Sequence, residues 1–404
     1  MIVKCSRLTN FHKDHVVEVL ENTKNVDNLR GKNVLHITHV GGGGTDTFVF
    51  NLIEDLKNCG VNSFILRPTK AKNGRLNCAK EKNLPDIDFK DEEKFISILE
   101  KLNVGAVHIH HLLGYSSRII DILISIRHRI GVWIVFTVHD YFSYCPNIVL
   151  MHRENFLCLN YDERCCNRCQ PKIPKFAKKS EANNPSDRRR SYEHLFKMID
   201  KVTVPNRDLV PRMESAFPGI TFDVIEHNFS KKTVEKVGVP SYKGNFKVLV
   251  VIGQISHHKG FRVIKALAEF IKSKELPLKI VVVGCTDDDE SLVDLGVTIT
   301  GRYNGDIEAL RLIQYVDADY IFIPSIWPET YSYTLSIGLS TGLPCFSFDI
   351  GAQACRIKDL GMPSNVVPMD KSDDPEFIYD MLINSNCSKN NFNGHKTNPM
   401  EYYK

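Results

Sequence analysis

Four segments of this 404-residue chain place ligand-binding residue types where a strand gives way to a helix. The first, HVGGGGTD at 39–46, follows an apolar run and opens an amphipathic one. Glycines without a Cβ, Gly42 and Gly43 at their centre, let backbone N–H groups reach a ligand, and a helix N-terminus adds partial positive charge for a phosphate. The spacing supports neither a GxGxxG fingerprint nor a GxxxxGKS/T P-loop, and a flexible turn is the plainer reading. The second, VFTVHDY, ends a continuous apolar strand at His139 and Asp140. Ligands of open α/β sheets bind beyond the carboxyl ends of strands, where His139 is suited to a sugar hydroxyl or a phosphate. A surface His beside a capping Asp is its alternative. The third, GQISHHKG at 253–260, offers Gly253, Gln254 and Lys259, a phosphate ligand beside Gly260 at a helix start. The fourth, PSIWPETYSYTLSIGLSTGLP at 324–344, is expected to open a helix at Pro328 and Glu329, with the carboxylate in the first turn, where capping is its plainer role. His108, His110 and His111 end another strand and read as structural, because strand alternation turns at most some of them toward a site.

These segments need a scaffold of parallel strands and crossover helices, and the pattern supplies one. Strands are predicted at 34–39, 62–66, 105–110, 132–138, 201–204 and 222–225, then at 247–252, 278–283, 297–300, 320–323 and 345–348. Helical spacing runs over 45–59, 261–271 and 330–339. Two doubly wound α/β domains follow, 31–230 and 231–385, with the hinge in the polar stretch 229–245, an extension at 1–30 and a frayed tail at 386–404. Residues 143–190 hold no clear strand and five of the twelve cysteines, and read as an insertion. Hydrophobic residues are 43% and charged residues 25%, which excludes collagen-like, disordered and coiled-coil classes. The longest apolar runs fall short of the ~18 residues of a spanning helix, and no secretion signal opens the chain, so a reducing cytosol is expected. A net charge of +4 does not imply nucleic acid.

Taken together and in this order, HVGGGG, TVHDYFSYCP, VTVPNRDLVPRM, GQISHHKG, TGRY and PSIWPETYSYTLSIGLSTGLPCFSFDIGA resemble glycosyltransferase family 4, over roughly four-fifths of the chain. The resemblance implies the GT-B architecture of two facing Rossmann-like domains, and retaining transfer of a sugar from a nucleotide-diphosphate donor to a hydroxyl of a glycan or lipid-linked acceptor, without an obligatory metal. By position, Gly41 to Gly44 would line the cleft, and His139 would contact the transferred sugar. Lys259 would hold the diphosphate, Gly301, Arg302 and Tyr303 the base, and Glu329, with Thr330, Tyr331 and Ser332, the donor sugar. His139, Glu329 and Lys259 are thus the expected catalytic set. Two positions depart from the family: Ile337 stands where a second Glu is common, and Gln254 where an Arg is common. A catalytically impaired protein that only binds a nucleotide sugar or glycan is therefore the competing class.

Cys145, Cys158, Cys166 and Cys169, with one CxxC pair, suit tetrahedral zinc, and a structural zinc site is expected there; scattered reduced thiols are the alternative. Between 171 and 201, nine Lys or Arg face four acids, an excess suited to an anionic lipid-linked acceptor or the inner face of a membrane, or simply to a solvated loop. A zinc-dependent nucleic-acid binder draws only on these two features.

Overall fold

The structure, a computed structural model, describes residues 33–70, 73–77, 86–152, 157–158, 166, 169, 185–234, 246–384 and 390–404. The expected extension at 1–30 lies outside them, as does most of the cysteine-rich insertion. The first sheet contains β1 (Asn33–Ile37), β2 (Asn62–Pro68), β3 (Gly74–Asn77), β4 (Asp86–Ile87), β5 (Val104–Ile109), β6 (Trp133–Thr137), β7 (Lys201–Val204) and β8 (Asp223–Val224). Their spatial order is 4-3-2-1-5-6-7-8. All pairings are parallel except β2 with β3 and β3 with β4, which add an antiparallel edge that periodicity did not predict because both strands are short. After a short β9 (Phe229–Ser230), the second sheet is wholly parallel. It comprises β10 (Lys247–Ile255), β11 (Leu278–Thr286), β12 (Thr298–Ile299), β13 (Tyr320–Ile323), β14 (Cys345–Phe348) and β15 (Val366–Val367), in the order 12-11-10-13-14-15.

Each sheet is covered on both faces, which is why its central strands read as continuous apolar runs. In β1, Leu35 and Ile37 enter the core on one face while Val34 enters the other, beneath the helix Gly44–Asn58 with Phe48, Val49, Leu52, Ile53 and Leu56. In β10, Val248, Val250 and Ile252 alternate in the same way with Leu249 and Val251.

The tail expected to fray is instead packed where it is described. Gly394–His395 forms β16, antiparallel to β9, and the turn Pro399–Tyr403 returns to the first sheet. There Met400, Tyr402 and Tyr403 are buried against Val34, Ala106 and Val135. Two large aromatic rings explain the difference, because burying them outweighs the ordering cost that an Asn- and Lys-rich composition suggests.

Candidate active site

The order of the second sheet reverses between β10 and β13, the kind of switch point at which ligands of open α/β sheets bind, and two segments leave the sheet there. Lys259 sits on the first, in the short turn His257–Lys259, and Glu329 on the second. The two segments touch at Gly260, whose φ of +92° and 2.1 Å approach of a would-be Cβ to the Pro324 carbonyl oxygen admit only glycine. Lys259 Nζ donates to Glu329 Oε1 at 2.7 Å, and Ser325 Oγ donates to the same oxygen. Burial alone would raise the Glu329 carboxyl, which is 3% exposed, but the Lys259 ammonium and the donors from Lys259, Ser325 and Ser332 hold it below its usual value. Glu329 does not sit in a helical first turn as expected. The helix is Tyr333–Ser340, capped by Ser332, and Glu329 lies in the loop before it, so helix capping is not its role. Arg356 clamps that loop, donating to the carbonyls of Tyr331 and Ser332 at 2.9 and 3.0 Å and to Ser336 Oγ at 2.7 Å.

Across from it stand residues of the first sheet. Gly42 and Gly43 have φ of +72° and +75°, so the loop before helix Gly44–Asn58 takes a path that favours glycine, and a Cβ on Gly44 would meet the Tyr333 ring at 3.3 Å. Asp46 is fixed by Arg67 at 3.0 Å, and Gly41 N donates to His39 Nδ1 at 2.9 Å. Thr330 Oγ1 donates to the His139 carbonyl at 2.6 Å, joining the Glu329 loop to the end of β6. Burial lowers His139 to about 3, with Asp140 opposing and His111 and His39 reinforcing, so the ring is neutral. Asp140 accepts from Phe142 N at 2.8 Å and lies 3.0 Å from His111 Nε2. A small cavity behind His139 is lined by His110, His111, Asp140, Phe142 and Ser143.

The structure therefore brings His139, Lys259, Glu329, Thr330, Tyr331 and Ser332 to one place, with the glycine loop beside them. Gly253 has a φ of +112°, and a Cβ there would meet Thr334 Cγ2, at the start of the same helix, at 3.1 Å. Gln254 is exposed on β10. Gly301, Arg302 and Tyr303 leave β12 on the other side of β10; Tyr303 is raised to about 12 by burial, and Arg302 is exposed. Ile337 is 3% exposed within the apolar core, so its position has no room for an unpaired carboxylate.

Sequence reading missed His36, Ser63 and His227. His227 bridges the two sheets: its ring lies 4.1 Å from Phe48 and 4.7 Å from Tyr331, and its carbonyl accepts from Tyr331 Oη at 3.2 Å. His108 and His110, read as structural, are buried; His108 is bonded to Tyr403 Oη and Thr137 Oγ1, and His110 Nδ1 lies 3.1 Å from His139 Nε2. Polar residues at alternate positions of otherwise apolar strands were the available signal.

The expected zinc site is not supported. Among the described residues, the group of three or more His, Cys, Asp or Glu side chains whose ligand atoms lie within 4.8 Å of one another is His36, His108 and His110. Cys145, Cys158, Cys166 and Cys169 form no disulfide and are not part of any such group among the described residues. Burial raises the Cys145 thiol to about 12, and Arg189 donates to Cys166 Sγ at 3.5 Å. Of the basic stretch, Arg188 and Arg189 are buried over the rings of Phe142 and Tyr144, so they belong to no exposed basic surface; Lys172, Lys175, Lys178 and Lys179 lie outside the described residues. Among the described residues, no helix is long and apolar enough to cross a membrane.

No family model matches the chain, and no curated protein matches it by sequence. Solved structures do match. Sucrose-phosphate synthase from Thermosynechococcus elongatus is similar with a TM-score of 0.55 at 14% identity, over 87% of this chain and 90% of that one. Anabaena HepE in complex with UDP gives 0.54 at 12% identity over 89% and 92%, and the lipopolysaccharide outer core galactosyltransferase WaaB gives 0.53 at 15% over 86% and 90%. At these identities the likeness establishes the fold: two Rossmann-like domains in the GT-B arrangement of glycosyltransferases.

Proposed function

We propose that this protein is a retaining glycosyltransferase that moves a sugar from a nucleotide-diphosphate donor to a hydroxyl of a glycan or lipid-linked acceptor in the cytosol. One observation carries the reading: on a GT-B fold, a lysine, a buried ionised glutamate and a neutral histidine, from segments 139, 259 and 329, meet at a topological switch point. In this reading the Lys259 ammonium takes the charge that develops on the departing diphosphate, the Glu329 carboxylate accepts from sugar hydroxyls, and the uncharged His139 ring hydrogen-bonds the sugar. Glu329 is held to the protein by Lys259 and Ser325, which suits positioning better than covalent attack, so retention would proceed by front-face departure and attack. Gly301 to Tyr303 would hold the base. HepE structures hold UDP and UDP-glucose, which makes uridine donors the first to try.

The competing reading, a binding module without turnover, draws on the buried Ile337 and the exposed Gln254, which stand where the resembled family commonly has a Glu and an Arg. Thermal shift with UDP-, GDP-, CMP- and dTDP-sugars, followed by nucleotide release, separates the two. At about 100 times its dissociation constant a ligand adds ~2.7 kcal/mol of stability. Transfer predicts a shift and release that both vanish in Lys259→Ala and Glu329→Ala. A shift without release in the presence of acceptor extract supports the module, and no shift with any donor refutes the proposal.

A further inference from the structure

A row of polar side chains crosses the buried face of the first sheet, and it leads to His139. Ser63 on β2, His36 on β1 and His108 on β5 project to the same face as Val34 and Ala106, and His110 and His139 continue it at the strand ends. Three contacts link four of them: Ser63 Oγ to His36 Nε2 at 3.2 Å, His36 Nδ1 to His110 Nε2 at 3.0 Å, and His110 Nδ1 to His139 Nε2 at 3.1 Å. Burial keeps these imidazoles neutral, so each carries one N–H and one lone pair.

That constraint fixes the direction of the chain. A contact between two neutral rings needs one proton, and His110 has one proton for two contacts. If it lies on Nδ1 it serves His139, His36 must then serve His110 from its own Nδ1, and His139 is left with its proton on Nδ1. If it lies on Nε2, all three rings reverse together. Ser63 chooses between these states. Its hydroxyl is 3% exposed, and His36 Nε2 is its side-chain partner among the described residues. Donating there satisfies the hydroxyl proton, whereas accepting there strands it in the core.

We propose that Ser63, His36 and His110 are positioning residues that lock His139 as the Nδ1–H tautomer, so that its free nitrogen is an uncharged hydrogen-bond donor. Resting on the transferase reading, the acceptor is an oxygen of the transferred sugar or of the diphosphate. The alternative for part of this cluster is a metal held by His36, His108 and His110. The ring planes argue against it: they stack at 28°, 18° and 24°, instead of directing lone pairs to one centre. His108 is in addition engaged on both nitrogens, by Tyr403 Oη at 3.0 Å and Thr137 Oγ1 at 2.7 Å.

Long-range 1H–15N correlation spectra of the full chain labelled with 15N-histidine read the tautomer of each ring without donor or turnover. His36, His110 and His139 should all be neutral with the proton on Nδ1, and stoichiometric zinc should leave them unmoved. Ser63→Ala should redistribute the His139 tautomer three contacts away and lower kcat about 2- to 10-fold with little change in KM, and Ser63→Thr, which keeps the hydroxyl, should restore both. A proton on His139 Nε2 in the parent chain, mixed senses among the three rings, a shared response to zinc, or a Ser63→Ala spectrum identical to the parent at His139 would each overturn the relay. A protein with these tautomers that releases nucleotide from no donor would overturn the transferase reading and leave the relay standing.

Discussion

Mild acid should unfold this protein, and the buried histidines set how far. His36, His39 and His139 fall from an ordinary 6.5 to about 3 on folding, chiefly because burial penalises the imidazolium. Their folded values are depressed, so between pH 6.5 and pH 3 the unfolded chain binds protons that the folded chain refuses. Stability is therefore complete above pH 6.5 and lost as pH falls. At pH 5 each ring costs about 1.4 kcal/mol per pH unit over 1.5 units, roughly 2 kcal/mol. The three together cost about 6 kcal/mol, comparable with the entire stability of many domains. His108, His110 and His227 shift in the same direction and add to the loss. Glu329 and Asp140, held below their usual values, lose their contributions only at lower pH. Urea unfolding followed by tryptophan fluorescence at pH 7, 6 and 5, with proton uptake measured at pH 5, tests this. The reasoning predicts uptake of at least three protons and a steep fall in midpoint; stability at pH 5 within about 1 kcal/mol of that at pH 7, or uptake below one proton, would refute it.

Gly260→Ala should destabilise by more than about 2 kcal/mol, since the left-handed backbone and the Pro324 carbonyl both oppose a Cβ; a melting temperature equal to the parent's would contradict this. Ile337→Glu should cost roughly 3–5 kcal/mol as an unpaired buried charge and should not improve donor binding, as calorimetry with a UDP-sugar would report. Tyr403→Phe should cost about 1–3 kcal/mol by leaving His108 Nδ1 without its partner in the core, measurable as a lower urea midpoint.

Much of the architecture was legible in local pattern. Strands 201–204, 320–323 and 345–348 coincide with the observed ones because continuous β-branched and aromatic runs between turn residues have one low-energy solution in a sheet buried on both faces. The motif segments carrying His139, Lys259 and Glu329 were visible because glycine and proline punctuate strand ends, and strand ends are where such folds present ligands. Tertiary structure decided what spacing along a chain does not encode. The helix after Glu329 begins at Tyr333, because Ser332 caps it and Arg356, from a distant helix, holds the preceding carbonyls. The cysteines share a neighbourhood in sequence, yet among the described residues no three of their sulfurs come within 4.8 Å of one another, since a ligand set needs three-dimensional closure. Tyr403 reaches the first sheet across 295 residues to bond His108, a contact that no local rule favours. The chain Ser63–His36–His110–His139 is of the same kind: alternation puts each polar side chain on one face of its strand, but only strand order 2-1-5-6 sets them side by side within hydrogen-bonding distance.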